Sequence, residues 1–243
     1  MPKTPTQSQQ GVQSQNIILA AAEEFAERGF AGARVDDIAR RAGVNKAMLY
    51  YHVGDKAALY EKVVLDGVAD VTAHIQEGLS KETTPAGKVR AIAKAFETLG
   101  IAKPYLPRII LMEMLTGGGD LPSPALEAFG RIIQLERAIL EEAVKEGLFR
   151  PVNPVTFHIL IVGGTMLHLV TRDVRERIKQ LTVRSIPEPD AKPAEAVSSL
   201  LLEGLLARPR RARAREKEQT GGPRSLKGHS TKAHKIPSKE ERV

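Results

Sequence analysis

Cysteine is absent from the 243 residues. That excludes a disulfide framework, a thiolate metal site and a cysteine nucleophile, and it fits a reducing compartment. Long apolar runs are missing too. No stretch reaches the roughly 18 uncharged apolar residues of a membrane-spanning helix. The longest candidate, 157–170, is broken by His158, Thr165 and His168. The first fifteen residues are polar and rich in Gln and Ser, with no apolar run behind a basic start, so no secretory signal is expected. The expectation is a cytoplasmic protein with no membrane partner.

Period-2 alternation of β-branched residues is nearly absent, and no unit of about 20–50 residues repeats, so sheets and solenoids are not expected. What is present is Ala, Leu, Glu, Arg and Lys, all good helix formers, with 42% apolar residues to build a core. The net charge of +7 is unevenly placed. Residues 208–243 hold 12 Lys/Arg and 4 Asp/Glu. Of the chain's 36 and 29, residues 1–207 therefore keep 24 and 25 and are close to neutral. The basic character belongs to the tail, so isoelectric point alone does not argue for a basic DNA-binding domain.

Proline near helix starts and glycine near helix ends divide the chain into nine expected helices. The first runs from about Gln15 to Arg28, where Gly29 stops it. Short helices follow at 35–42 and 45–52. Asp55 caps a long helix to about Leu79. Later helices open at Thr84-Pro85, Pro104, Ser123-Pro124, Asn153-Pro154 and Pro193, the fourth of these running to about Leu181. The expected architecture is all-α. A disordered polar leader spans 1–14, a helix-turn-helix domain 15–62 and a helical ligand-binding and dimerisation domain 63–207. The basic tail at 208–243 has almost no large apolar residues and is expected to be disordered.

Residues 29–59 carry the functional signal. Two short helices are joined by Ala42-Gly43-Val44, and a turn of that length with glycine in the left-handed position sets helices at a steep angle. Val35, Ile38, Ala39, Val44 and Leu49 face inward and meet Phe25 and Phe30. This is a three-helix helix-turn-helix pattern whose last helix enters the major groove. Asn45 caps that helix, Lys46 supplies charge, and Tyr50, Tyr51 and His52 add rings with polar tips. Three of the four tyrosines (Tyr50, Tyr51, Tyr60) fall within eleven residues, unlike a face built only for solubility. Arg40 and Arg41 read as a solvated helix face.

The set Gly29-Phe30, Ile38-Ala39, Ala42-Gly43-Val44, Leu49-Tyr50, Tyr51-His52 and Lys56 with Leu59 resembles the DNA-binding domain of the tetracycline-repressor (TetR) family. Four residues depart from the family pattern. Ala33-Arg34 stands where a Thr-Thr or Thr-Ser pair is usual, Met48 replaces a small polar residue, and Val53 replaces a phenylalanine. The resemblance implies that Tyr50, Lys56 and Arg34 hold phosphates. It also implies that Asn45, Lys46, Ala47 and Tyr51 meet base edges, with Ala47 suited to a thymine methyl and Lys46 to a guanine. It further implies a homodimer on a double-stranded, palindromic operator, joined through the helices near 154–181 and 193–207. There, Val197, Leu200, Leu201 and Leu205 form a stripe. A transcriptional regulator of this kind, a repressor released by a small apolar or amphipathic effector, is the expectation.

Phe96, Met112, Met114, Phe129, Ile133, His158 and Met166 are candidates to line an apolar effector pocket with one polar group, although Met and aromatic residues are also plain core formers. Enzymatic readings find no support. Gly117-Gly118-Gly119 lacks the following Gly-Lys-Ser/Thr of a phosphate loop. His158 and His168 lie on different sides of a helix, and no Ser/His/Asp set has a recognisable context. No cofactor or metal is called for. Two other readings remain open on the residues alone: a small-molecule-binding helical protein without specific DNA binding, and a nonspecific DNA binder acting through its tail.

Overall fold

A computed structural model describes residues 7–181 and 192–207, and the 208–243 tail lies outside those residues. Ten α-helices and no strands occur among the described residues. In chain order they are α1 (Gln7–Gly32), α2 (Val35–Ala42), α3 (Lys46–Val53), α4 (Lys56–Ser80) and α5 (Pro85–Ala102). Then come α6 (Tyr105–Leu115), α7 (Ser123–Lys145), α8 (Pro154–Val170), α9 (Arg172–Leu181) and α10 (Pro193–Leu205).

Helix starts follow the expected chemistry. Asp55, Thr84 and Asn153 each accept a hydrogen bond from the backbone N–H three residues on, at 2.8, 3.0 and 3.0 Å. Each satisfies a donor that the helix cannot, worth about 1 kcal/mol.

Two expectations need correction. Helix α1 begins at Gln7, so residues 7–14 continue it instead of forming a disordered leader. Gln is a good helix former, and the packed segment Ile17–Phe25 supplies the nucleus from which the helix extends. At Gly29 the first helix breaks as expected: its φ 68°, ψ 174° is not helical, and only a short further turn runs on to Gly32. The single helix expected over 153–181 is two, meeting at 59°. The break is capped from within: Arg175 donates to the His168 carbonyl at 2.6 Å and to the Thr171 hydroxyl at 2.7 Å. That satisfies α8's C-terminal end and starts α9 in a new direction.

Two buried apolar clusters share α4. One gathers Ile17, Phe25, Ile38, Leu49, Leu59, Tyr60 and Val64 with Ile109, Leu121, Ala125 and Ala128 from α6, its following loop and α7. The other gathers Val71, Ile75, Ile92, Phe96, Ile132, Phe157, Ile161 and Leu202. The boundary expected at 62/63 therefore falls inside a continuous helix, and the cluster under the helix-turn-helix draws on the C-terminal part. Among the described residues no single helix is long and apolar enough to cross a membrane.

Candidate nucleic-acid interface

The turn between α2 and α3 is built on Gly43 at φ 68°, ψ 29°. There its N–H caps α2 on the Arg40 carbonyl at 3.2 Å, and Val44 N–H reaches Ala39 O at 3.0 Å. A side chain at this backbone geometry would be strained. Asn45 then accepts the Met48 N–H at 2.7 Å and starts α3. Ile38, Ala39 and Leu49 are buried against Phe25, while Phe30, Val35 and Val44 are half-buried around them. Phe25 meets Tyr60 edge-on at 4.9 Å and Phe30 at 6.2 Å, so an aromatic cluster fixes α4 beneath the helix-turn-helix.

That packing leaves one face of α3 outward. Asn45, Lys46 and Ala47 are exposed; Tyr50 is 44% and Tyr51 82% exposed. Exposure of two tyrosines on one short helix costs apolar contact with water and is unusual in a face that meets only solvent. Lys46 Nζ pairs with Asp36 Oδ1 at 2.9 Å, and that hydrogen bond raises the lysine's pKa. His52 is half-buried with its ring edge-on to Tyr51 at 5.4 Å. The Tyr50 carbonyl at the end of α3 is taken by Gly54 N–H at 3.0 Å.

Arg34 and Lys56 lie at the junction of α1, α2 and α4. Arg34 is exposed and extended, φ −116°, ψ 132°, and makes no side-chain cap to α2. Lys56 Nζ donates to Ala33 O at 3.1 Å and stands 4.6 Å over the Phe30 ring. The backbone contact and the cation–π contact together hold its charge against the loop that carries Arg34.

Arg41 is exposed, as expected, but its charge is engaged by α1. Its guanidinium reaches Glu27 at 2.8 and 3.0 Å, Glu23 at 3.1 Å and the buried Glu24 at 3.3 Å, all on α1. Arg28 Nε flanks Glu24 at 3.0 Å. The Glu27 and Glu23 hydrogen bonds push the arginine's pKa up, and the Arg41 hydrogen bond holds the Glu27 carboxyl below its usual range. The sequence signal for this clamp is Glu at 23, 24 and 27, within about one turn of one helix, opposite the Arg40-Arg41 pair on the next. Arg40, by contrast, bonds only the neighbouring Asp37 at 2.7 Å among the hydrogen bonds described.

The seven residues expected to line an effector pocket do not converge. Phe96 and His158 do meet, rings 6.4 Å apart, and His158 Nδ1 lies 2.9 Å from the fully buried Glu136. Met166 is buried in the same cluster as Phe96. Met112 instead lies against the α1 kink, where a Cβ on Gly29 would come 2.9 Å from its sulfur. Phe129 is half-buried against the other cluster, Ile133 is half-buried on α7, and Met114 is 56% exposed. A cleft of about 270 Å³ opens elsewhere, between α4 and α7, lined by Thr72, Ile75, Gln76, Ala128, Arg131, Ile132 and Leu135. Apolar side chains pack to crystal-like density, so most inward-facing Met and Phe fill space and line nothing.

The C-terminal helices keep a broad apolar surface outward: Val155, Ile159, Leu160 and Leu167 on α8, with Leu200 on α10. Of the stripe expected on the last helix, Leu205 is buried in its own chain, Val197 and Leu201 are half-buried and Leu200 is 71% exposed. Gly164 lets α10 approach within the chain, a Cβ there falling 3.1 Å from Val197, whereas Gly163 faces open space.

A capped, glycine-turned pair of helices presenting a tyrosine-bearing face defines a helix-turn-helix DNA-binding protein. Residues 17–63 match the family described as "Bacterial regulatory proteins, tetR family". The chain is 26% identical over 194 residues to the HTH-type transcriptional regulator RutR of Escherichia coli, covering 80% of this chain and 90% of that one. It is 30% identical over 153 residues to the HTH-type transcriptional repressor KstR2 of Mycolicibacterium smegmatis, covering 62% and 73%. The solved ketosteroid transcriptional regulator KstR2 of Mycobacterium tuberculosis superposes with a TM-score of 0.62 at 18% identity, covering 84% of this chain and 98% of that one. The chain belongs to the TetR family; it is a transcriptional regulator and not an enzyme.

Proposed function

We propose that this regulator is a homodimeric repressor that binds a palindromic operator and is released by a small apolar or amphipathic effector. The outward face of α3 carries the reading. Lys46, Ala47 and Tyr51 stand where base edges would be met, with Asn45 at the helix start. Tyr50, Arg34 and Lys56 flank them at phosphate positions, and His52 supports the ring of Tyr51. The exposed apolar surface of α8 and α10 supports a second copy of the chain as partner. A dimer of such domains reads two half-sites about one helical turn, ~34 Å, apart.

Selection of bound duplexes from a random pool, followed by affinity measurements across salt for the wild type and Tyr50→Ala, tests this. The expected result is an inverted repeat bound far more tightly than random DNA and weakened by the substitution. Failure to enrich any motif would falsify the reading.

A further inference from the structure

We propose that Asp36 and Lys46 act as one unit that reads a single G·C base pair of the operator, the ammonium on guanine and the carboxylate on the paired cytosine. This rests on the operator binding proposed above, and it adds Asp36, from α2, to the residues that meet bases. Lys46 is the first residue of α3 and Asp36 the second of α2. Their side chains bridge the two helices, Nζ to Oδ1 at 2.9 Å, and both stay open to solvent, 51% and 73% exposed.

A carboxylate on a DNA-facing surface repels phosphate, so Asp36 weakens binding unless it finds a partner on a base. The neighbouring acid behaves differently. Asp37 bonds Arg40 on its own helix at 2.7 Å, whereas Asp36 reaches across the turn to α3. Both carboxylates suit the positive end of the α2 dipole, so the dipole does not account for the contact between helices. An acceptor is also what the start of α3 lacks. The Asn45 Oδ1 is engaged by the Met48 N–H at 2.7 Å, Lys46 carries donors only, and Ala47 has no polar side-chain atom. Asp36 supplies the carboxylate beside them that can accept from an amino group in the groove.

The two groups match one base pair and mismatch the others. In the major groove guanine shows two acceptors, N7 and O6, and its cytosine shows the N4 amino donor. Lysine has donors and no acceptor, and an ionised aspartate has acceptors only. Guanine O6 and cytosine N4 are one hydrogen bond apart, about 2.9 Å, which is the spacing of Lys46 Nζ and Asp36 Oδ1. Adenine puts its N6 donor beside N7, where it opposes an ammonium, and thymine offers Asp36 no donor. The ion pair also acts away from the operator. Exposed pairs of this kind hold weakly, so it opens at little cost when base contacts replace it. On any other sequence Asp36 neutralises Lys46 and withholds it from phosphate, which lowers nonspecific affinity and raises the specificity ratio.

The test is selection of bound duplexes from a random pool by the full chain, followed by affinities across salt. It is run on the wild type, Asp36→Ala, Lys46→Ala and the double variant, with circular dichroism as the check on folding. The wild type is expected to select a G·C pair at one fixed position of each half-site. Asp36→Ala and Lys46→Ala each lower the preference for that pair by roughly tenfold, the scale of a good base contact, and leave the other positions unchanged. The double variant loses little more than either single one, because neither group reads the pair alone. Asp36→Ala also binds random DNA more tightly, with a salt slope steeper by about one as Lys46 turns to phosphate. A motif unchanged in Asp36→Ala overturns the pair, and a lowered unfolding midpoint beside that intact motif makes Asp36 a helix-terminus charge only. A position that depends on both residues but reads A·T, or a G·C preference lost in Lys46→Ala alone, overturns it too. Each of these leaves operator binding standing. No motif in the wild type overturns the operator reading and the pair with it.

Discussion

Arg41 of α2 donates to Glu27 of α1 at 2.8 and 3.0 Å, and the same guanidinium reaches Glu23 and Glu24. One side chain thus joins the first helix of the DNA-binding domain to the second. Arg41→Ala leaves the buried Glu24 with Arg28 alone and is expected to cost roughly 1–3 kcal/mol of stability. Operator affinity falls with it, while the slope of log affinity against log salt stays at the wild-type value because no phosphate contact is lost. A slope that drops by about one would show that Arg41 touches DNA.

The same clamp gives a pH dependence. The Glu27 carboxyl is held below its ordinary 4.5, so its contribution is fully present above that pH in the folded domain. It is lost as the pH falls through the lowered value. Unfolding midpoints followed from pH 7 down to about 3 are expected to drop below the ordinary glutamate range, and to drop less in Arg41→Ala. Parallel curves for the two proteins would remove the clamp as the cause.

Gly29 has φ 68° and ψ 174°, a region that other residues enter only at a cost of about 1–3 kcal/mol. Gly29→Ala also drives a Cβ to within 2.9 Å of the Met112 sulfur. Thermal unfolding of Gly29→Ala, Met112→Ala and the double variant separates the two terms. Met112→Ala is expected to relieve part of the loss and to leave the backbone part in place.

His158→Ala strips the fully buried Glu136 of its imidazole partner at 2.9 Å. Leaving a buried carboxyl without its hydrogen-bond partner costs about 1–3 kcal/mol, and the double variant His158→Ala/Glu136→Gln is expected to recover part of it. A denaturant titration reads both. Equal loss in the single and the double variant would mean that packing against Phe96, and not the unpaired carboxylate, is what the histidine supplies.

Deletion of 208–243 removes 12 Lys/Arg and 4 Asp/Glu. The expected outcome is weaker nonspecific binding and a shallower salt dependence, with the selected motif unchanged. Loss of the motif on deletion would favour the reading in which the tail is the DNA-binding element.

Local signals carried the helix-turn-helix. Gly43 between two short amphipathic helices, Asn45 and Asp55 at their cap positions, and the inward set Ile38, Ala39 and Leu49 are all short-range features. Chain geometry permits few alternatives there, so the turn, the caps and the outward face of α3 could be read in order along the sequence. The family pattern then supplied the phosphate-binding roles proposed for Tyr50 and Lys56.

What lies between elements far apart in sequence could not be read that way. Glu23, Glu24 and Glu27 each look like a solvated helix charge until α2 brings Arg41 across from 14 to 18 residues away. Met112 and Gly29 are 83 positions apart and meet only because α6 packs on the kink of α1. The pocket was the clearest miss. Periodicity reports which face of a helix turns inward, and Phe96 and Met166 do turn inward. Whether neighbouring helices then close or leave a gap depends on crossing geometry, which no single helix encodes. Sequence alone thus determined most of the helices, their caps and the outward face of α3, because these depend on neighbours along the chain. Only the tertiary structure decided which carboxylates hold Arg41, where α8 breaks and where a cleft remains, because those depend on how separate helices fill the same space.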